Sequence, residues 1–323
     1  MTSAPLLGVE GLTVGFNTED GPVRVVEDVS FELAPGETLG LVGESGCGKS
    51  VTAQSIMRLL PTPPARIDAG RILFEGENLL ALPEKRMREV RGQRIGMIFQ
   101  EPMTSLNPTQ RIGRQIAEVL SLHQGLNYRA ARPTVIDVLR QTGIGNAERR
   151  LEQYPHELSG GLRQRVMIAM AIVCGPKLLI ADEPTTALDV TIQAQIIELL
   201  KSQQRDLGLS IMLITHDLAV VAEMCRSVAV MYAGRIVETG DTAEVFARPR
   251  HPYTAGLLRA SPRLTRKGDR LASIAGVVPP PGFRGEGCSF SARCPRAMDI
   301  CRTTLPRHLS SNGRGVACWN PLP

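Results

Sequence analysis

Apolar and polar residues alternate along the chain in a way that predicts an α/β domain. Short apolar runs with strand character occur at residues 38–43, 95–100, 177–182, 210–215 and 227–232, and helix-like stretches separate them. Strands that alternate with helices are typical of a largely parallel sheet covered by helices. We therefore expect an α/β fold with a parallel-sheet core.

Two further patterns interrupt this alternation. Residues 6–16 and 23–33 have strand character on either side of a polar turn, which predicts a small antiparallel β subdomain beside the main sheet. The long stretch between two of the main strands contains the helix-like segments 110–123, 128–142 and 160–174. We expect these segments to form a helical subdomain inserted into the α/β core.

The regular pattern weakens after Gly240. Short helix-like pieces lead to the connector VVPPPG at 277–282, whose proline and glycine content opposes both helix and sheet pairing, and a separate terminal element follows. The chain shows no internal repeat.

The composition favours a globular chain that does not cross a membrane. Of the 323 residues 43% are apolar, and the longest apolar stretch, 166–175, is far shorter than the ~18 residues that span a bilayer. Residues 1–12 have neither a basic start nor a long apolar run, so no secretory signal is predicted. We expect a cytosolic chain that reaches a membrane through a partner.

Charge is unevenly distributed around a net value of +5. Residues 248–323 carry 13 Lys or Arg and 3 Asp or Glu, whereas the preceding part carries 24 and 29. A basic tail could contact nucleic acid or anionic lipid head groups, but a solvated basic surface is the simpler interpretation and the favoured one.

A phosphate-binding loop is predicted at residues 43–50. The segment reads GESGCGKS between the apolar run 38–42 and the helix-like residues 51–60, which is the context such a loop requires. Its N–H groups would surround phosphates at a helix N-terminus. Lys49 would reach the β- and γ-phosphates of ATP, and Ser50 would ligate Mg²⁺. The predicted nucleotide ligands are Gly43, Ser45, Gly46, Cys47, Gly48, Lys49, Ser50 and Val51.

An acidic pair at a strand end complements this loop. The segment LLIADEP at 178–184 places Asp182 and Glu183 directly after apolar residues. Asp182 would hold Mg²⁺, and Glu183 would accept a proton from the attacking water or orient it. An isolated acidic pair is more often part of a solvated loop, but a phosphate loop in the same chain favours the catalytic interpretation.

The segment LSGGL at 158–162 resembles the signature motif of ATP-binding-cassette (ABC) proteins. The other family elements follow in order, since Gln100 in FQEP resembles the Q-loop, residues 187–189 the D-loop, and His216 the switch histidine. The resemblance extends over residues 6–240. It implies an ABC nucleotide-binding domain at 1–240 with a helical subdomain at about 101–175.

The resemblance also implies roles for individual residues. Gln100 would contact Mg²⁺ or water and report the nucleotide state to membrane subunits, and His216 would bond the γ-phosphate or water. Phe16 stands where the family places an aromatic residue against adenine, although a core aromatic residue fits that position too. Catalysis is thereby assigned to Glu183, His216, Gln100 and Lys49.

In the family two ATPase domains pair head to tail around each ATP. Ser159, Gly160 and Gly161 would then serve the nucleotide of the partner, where a helix N-terminus suits the γ-phosphate. The motif usually ends in Gln, and this chain has Leu162. We expect weaker signature contacts from this chain and unequal sites in the dimer.

The C-terminal extension at 241–323 resembles that of oligopeptide and dipeptide transporter ATPases. The similarity rests on RPRHPYT at 248–254 and on the four clustered cysteines Cys288, Cys294, Cys301 and Cys318. The segments EPMTSLNP at 101–108 and TTALDVT at 185–191 agree with that subfamily. In a reducing cytosol such a cluster favours a metal over disulfides. The resemblance favours a [4Fe–4S] cluster, with zinc or free thiols as the alternatives.

Together these features predict the ATP-hydrolysing subunit of an ABC importer for di- or oligopeptides, peripheral at the cytoplasmic face of the inner membrane. The implied partners are two integral membrane permeases, a second homologous ATPase and an external solute-binding protein, without nucleic acid. A homodimer of this chain is the alternative to pairing with a second ATPase. The alternatives are a soluble ABC ATPase acting on nucleic acid or the ribosome, and an importer of nickel complexes, other chelates or oligosaccharides. Cys47, Cys174 and Cys225 in the body are expected to have no metal-binding role.

Overall fold

The structure is a computed structural model that describes residues 4–100, 105–186, 188–264, 273–311 and 313–323. The chain forms two compact units. The first contains residues Met1–Ala81 and Leu213–Pro323, and the second contains Leu82–Met212. The boundaries predicted at residues 240, 101 and 175 do not coincide with these units, and they remain predictions.

The strands in the described residues have the following bounds. They are β1 Leu7–Thr18, β2 Gly21–Leu33, β3 Thr38–Val42, β4 Ala65–Phe74, β5 Glu77–Asn78, β6 Ile95–Ile98, β7 Leu178–Asp182, β8 Ser210–Thr215, β9 Ser227–Tyr232, β10 Arg235–Asp241, β11 Leu309–Ser311 and β12 Arg314–Val316.

The α-helices are α1 Lys49–Ile56, α2 Glu84–Val90, α3 Ile112–Gln124, α4 Tyr128–Gln141, α5 Ala147–Arg150, α6 Gly160–Ile172, α7 Val190–Leu207, α8 Leu218–Met224, α9 Thr242–Ala247, α10 Pro252–Ala260 and α11 Ile300–Thr303. Single turns of 3₁₀ helix lie at Leu79–Ala81, Pro155–Glu157 and Ser291–Arg293.

The predicted antiparallel subdomain is present in the first unit. Its strand order is β2-β1-β4-β5, and β1 pairs antiparallel with both β2 and β4. Alternating residues of β1 such as Leu7, Val9, Leu12 and Val14 are fully buried or nearly so, because one face of the sheet lies on the core. The strands β4 and β5 are additions that the sequence pattern had not indicated.

The first unit also contains a mixed sheet that positions the phosphate loop. Here β3 pairs parallel with β9, and β9 pairs antiparallel with β10. β10 continues antiparallel to β12, and β12 to β11, so the C-terminal segment adds strands to this sheet. All five residues of β3 are buried, as expected for a strand covered on both faces.

The second unit combines two parallel strands with a group of helices. β6 pairs parallel with β7, and the helices α3, α4 and α6 pack against one another. Their contacts are made by fully buried apolar side chains that include Ile116, Leu120, Leu139 and Val166. The helices predicted at 110–123, 128–142 and 160–174 are therefore confirmed with small shifts at their ends.

The main-strand predictions are also confirmed, and an α/β fold results. β8, which spans the boundary between the two units, and β9 have the predicted bounds, and β3, β6 and β7 begin or end at most two residues from them. Residues 273–290 contain no helix or strand, as the proline and glycine content of the connector predicts.

Candidate functional site

The predicted phosphate loop joins β3 to α1 in the first unit. Two of its glycines are required by the local geometry. A Cβ atom at Gly43 would lie 2.1 Å from the Met231 carbonyl oxygen, and Gly48 precedes α1 with a φ of 107°. A side chain at either position would displace the backbone or strain it. The loop therefore brings its N–H groups to the start of α1, where an anion is favoured.

Lys49 is held inside this loop although it carries a charge. Its side chain is 5% exposed, and Nζ donates hydrogen bonds to the carbonyl oxygens of Gly43 at 2.9 Å and Glu44 at 3.0 Å. Burial of an ammonium group is costly unless acceptors surround it. Burial also raises the pKa of the Cys47 thiol, an effect that Lys49 opposes. Cys47 is thus a packed residue beneath the loop.

The phosphate loop borders an open cavity of about 530 Å³ within the first unit. His216, which follows β8, lines the same cavity and is exposed, so the structure brings the predicted switch histidine to the phosphate loop. The next residue, Asp217, caps α8 by accepting from the Ala219 N–H at 2.9 Å. The cavity is completed by residues of the C-terminal extension: Leu257, Ala260, Ser273 and Ile274.

The acidic pair lies at the end of β7 in the second unit. Asp182 is 3% exposed, and Glu183 follows the strand with a φ of 47°, a left-handed conformation that is unusual for a residue with a side chain. Such strain is typical of functional positions. The Thr186 N–H donates to the Glu183 carbonyl oxygen at 3.2 Å and closes the turn.

The Glu183 carboxylate is oriented by two donors. The Gln100 side-chain amide donates to Oε2 at 3.2 Å, and the Thr186 hydroxyl donates to the same oxygen at 2.8 Å. The structure thus joins the predicted Q-loop residue to the predicted base. Thr186 was not among the predicted site residues, although its place three residues after Glu183 was visible in the sequence.

The signature residues form the exposed start of α6. The Ser159 side chain caps the helix, with Oγ accepting from the Leu162 N–H at 3.4 Å, and Gly160 is exposed beside it. A Cβ at Gly161 would lie 2.9 Å from Ile192 Cγ2, so glycine fits a close approach there. Leu162 therefore takes part in the cap through its backbone.

The predicted roles of several further positions remain predictions. Phe16 is half-buried in β1, between Val23 of β2 and Ala65 of β4, so adenine stacking remains a prediction. Ser45 and Gly46 are exposed in the loop, and Ser50 and Val51 are half-buried in α1. Residues 101–104 and Ala187, which belong to the Q-loop, subfamily and D-loop predictions, lie outside the described residues.

The four C-terminal cysteines line one small cavity of about 10 Å³. Burial raises the pKa of the Cys288 thiol to about 11 and, less strongly, the pKa values of Cys294 and Cys318. Neighbouring cysteines raise these values further. Within the described ranges, however, no three His, Cys, Asp or Glu side chains are arranged to hold a metal ion. The donor type fits an iron–sulfur cluster, and the arrangement of the thiols does not.

Comparison with known proteins identifies two family regions in the chain. Residues 26–186 match the ABC transporter family, and residues 237–301 match the C-terminal region of oligopeptide/dipeptide transporters. The chain is 52% identical to a probable peptide ABC transporter ATP-binding protein of Sinorhizobium fredii, over 97% of this chain and 94% of that protein. It is 51% identical to the dipeptide transport ATP-binding protein DppD of Escherichia coli, over 98% and 97% of the two chains.

Solved structures agree with the fold. CbiO1 of Clostridium perfringens, part of an ABC transporter complex, is 32% identical with a TM-score of 0.63, over 75% of this chain and 91% of that one. A bacterial ABC transporter cassette solved as a dimer has a TM-score of 0.65 at 23% identity, over 73% and 98% of the chains. Among the described helices, none has the length and apolar composition needed to span a bilayer.

Proposed function

Because the chain belongs to the ABC transporter ATP-binding family, we propose that it powers the import of di- or oligopeptides by hydrolysing ATP. The observation that carries this proposal is similarity over nearly the whole chain to peptide-transport ATP-binding proteins, together with the match of residues 237–301 to the C-terminal region of oligopeptide/dipeptide transporters. The sites support the same activity, since the chain contains the phosphate loop, the acidic pair and the switch histidine expected of an ABC ATPase.

ATP binding is assigned to the phosphate loop. The loop N–H groups at the start of α1 suit phosphate oxygens, and Lys49 already points its ammonium group at the loop carbonyl oxygens. In the nucleotide complex Lys49 would exchange these partners for the β- and γ-phosphates. Ser50, Asp182 and Gln100 offer the oxygen ligands that Mg²⁺ prefers. The metal would neutralise charge on the phosphates.

Hydrolysis is assigned to Glu183 with Gln100, Thr186 and His216 in support. Glu183 Oε2 accepts hydrogen bonds from Gln100 and Thr186, which orient the carboxylate that would accept a proton from water. His216, at the cavity beside the phosphate loop, would bond the γ-phosphate or the water. Little covalent chemistry is required of the protein, and positioning dominates.

The exposed start of the signature helix α6 supports a paired arrangement of two ATPases. Ser159, Gly160 and Gly161 at the start of α6 would meet the γ-phosphate of a nucleotide bound to a second, homologous subunit. Two integral membrane permeases and an external solute-binding protein would complete the complex, with this chain peripheral at the cytoplasmic face of the membrane. The Leu162 position, where the family motif usually has Gln, is consistent with two different ATPase subunits.

The four clustered cysteines are proposed to hold a [4Fe–4S] cluster after their side chains rearrange. All four residues line one cavity, and four thiolates are the ligands such a cluster requires, but their present arrangement does not suit a metal ion. Because the thiols do not stand in a ligating arrangement, no step of ATP hydrolysis is assigned to the cluster. Anaerobic purification with iron, sulfide and zinc analysis tests this point. Four iron per chain are expected, lost in Cys301→Ser and retained in the control Cys174→Ser, whereas zinc without iron would reject the cluster.

The transporter function is tested by isolating the complex. The chain is affinity-purified from the membranes of its own host in mild detergent and without oxygen, and co-purifying chains are identified by mass spectrometry. Two polytopic permeases and a second ABC ATPase are expected. Recovery with ribosomes or DNA and without permeases would contradict the proposal. The basic tail would then be the first candidate for the contact with nucleic acid.

A further inference from the structure

Arg293 of the C-terminal extension reaches the phosphate loop. Its guanidinium group forms a two-pronged ion pair with Glu44, in which Nη1 lies 2.6 Å from Oε2 and Nη2 lies 2.9 Å from Oε1. These two residues are separated by 249 positions in the sequence. Glu44 is the second residue of the loop GESGCGKS. Paired N–H donors on a carboxylate fix both distance and direction.

The rest of the guanidinium group is also fully engaged. Nε donates to the Ala275 carbonyl oxygen at 2.9 Å, Nη2 to the Ile274 carbonyl oxygen at 3.2 Å, and Nη1 to the Tyr232 hydroxyl at 3.3 Å. With the two bonds to Glu44, all five N–H donors of the arginine have an acceptor. Lysine offers three donors without this planar geometry, so the site is specific for arginine.

This ion pair lies in a partly enclosed aromatic environment. The Arg293 side chain is 6% exposed and that of Glu44 is 27% exposed. The Arg293 guanidinium lies 5.8 Å from the ring centre of Tyr232 and 6.0 Å from that of Phe290. Reduced contact with water strengthens the attraction between the two charges and raises the cost of removing one of them.

Glu44 is held at its backbone as well. Its N–H donates to the Tyr253 hydroxyl at 2.9 Å, and its carbonyl oxygen accepts from Lys49 Nζ at 3.0 Å. Tyr253 lies in α10 and Arg293 in the 3₁₀ turn after the connector, so two elements of the extension hold one loop residue. Any shift of Glu44 changes an acceptor of Lys49, the residue expected to meet the phosphates.

We propose that Arg293 is a positioning residue for nucleotide binding, which acts by fixing Glu44 and thereby the phosphate loop and Lys49. The C-terminal extension then sets the affinity of the loop for MgATP, in addition to any role of its cysteines. This inference rests on the proposed ATP-binding function. It assigns to the extension a function within the ATPase cycle of its own chain.

A double-mutant cycle on the full-length chain tests the proposal. MgATP affinity is measured by titration calorimetry, together with kcat and KM, for Arg293→Gln, Glu44→Gln and the double variant. Each single variant is expected to weaken MgATP binding roughly tenfold, or about 1.4 kcal/mol, with kcat within about twofold. Because the residues act as a pair, the double variant is expected to be no weaker than the single ones.

The control is Arg296→Gln, in the same segment, where Arg296 donates to Asn320 at 3.0 Å. It is expected to retain the affinity of the unsubstituted chain. Unchanged affinity in Arg293→Gln, or losses that add to roughly a hundredfold in the double variant, would overturn the proposal. If Arg293→Gln does not fold, unchanged affinity in Glu44→Gln would overturn it equally. Absence of MgATP binding by the unsubstituted chain would instead reject the proposed function itself.

Discussion

Gln100 donates a hydrogen bond from its side-chain amide to Oε2 of Glu183 over 3.2 Å. The contact links two residues that stand 83 positions apart, one after β6 and one after β7. Since β6 and β7 are parallel neighbours, both residues emerge at the same edge of the sheet. A residue expected to report the nucleotide state is thereby in direct contact with the residue expected to activate water.

Replacing the proposed base should separate binding from chemistry. In Glu183→Gln the carboxylate can no longer accept a proton, while the shape of the side chain and its hydrogen bond with Thr186 are retained. We expect kcat to fall by about 10²- to 10⁴-fold with MgATP affinity nearly unchanged. Steady-state phosphate release and titration calorimetry measure the two quantities. Glu198→Gln on α7, where Glu198 pairs with Lys201 at 2.9 Å, is the matched control and should hydrolyse ATP normally.

The hydroxyl of Thr186 should contribute to hydrolysis by orienting Glu183. Thr186→Val removes the donor at 2.8 Å with little change in shape, and a lost hydrogen bond of about 1 kcal/mol corresponds to a roughly fivefold lower kcat. Thr186→Ser keeps the hydroxyl and should restore most of the rate. Equal rates in the valine and serine variants would exclude the orienting role.

Alanine substitutions at two glycines of the phosphate loop should affect MgATP binding to different extents. Gly43→Ala places a Cβ 2.1 Å from the Met231 carbonyl oxygen, which the backbone cannot avoid without moving, so MgATP binding should be lost. Gly46 has a φ of 76° but no atom within 4 Å of an added Cβ. Gly46→Ala should therefore weaken MgATP binding by no more than the conformational cost of a left-handed alanine, roughly 1–2 kcal/mol. Calorimetric titration of both variants provides the comparison, and equal losses would contradict this account of the loop.

The buried thiol of Cys225 should be protected from alkylation until high pH. Burial raises its pKa to about 12 from an ordinary value of 9.0, since the thiolate is poorly solvated there. Because the folded state disfavours the charged form, thiolate reactivity appears only as the pH rises towards 12. At pH 9 labelling should be about a thousandfold slower than for an exposed thiol. Peptide mapping after iodoacetamide treatment measures the labelling rate of Cys225, with the half-exposed Cys174 as the internal control. Rapid labelling of Cys225 at pH 9 would show that the site is open.

Local sequence patterns were sufficient to predict the main helices and strands and the chemical motifs. The buried strands β3 and β7 are short apolar runs, and the glycines and Lys49 of the phosphate loop have a spacing tied to one backbone geometry. The helices α3, α4 and α6 are long enough for their boundaries to be predicted within two residues. These features could be predicted because each is determined by residues that are close together in the sequence.

Features that depend on distant partners were not predictable in this way. The short strand β12 acquires its structure by pairing with β10, and three residues carry too little pattern to indicate a strand. The ion pair of Arg293 with Glu44 and the contact of Tyr253 with the loop join the two ends of the chain. No local periodicity links such residues. The same reason explains why four clustered cysteines in the sequence do not define the arrangement of their thiols.

Peptide uptake coupled to ATP hydrolysis tests the central claim most directly. The chain is reconstituted in proteoliposomes with its co-purified permeases and partner ATPase, the solute-binding protein is added on the opposite side, and uptake of a labelled dipeptide is followed after MgATP is supplied. We expect uptake that requires ATP and is abolished when this subunit carries Glu183→Gln. ATP hydrolysis without uptake of any di- or oligopeptide, or uptake that persists unchanged in the Glu183→Gln complex, would contradict the account.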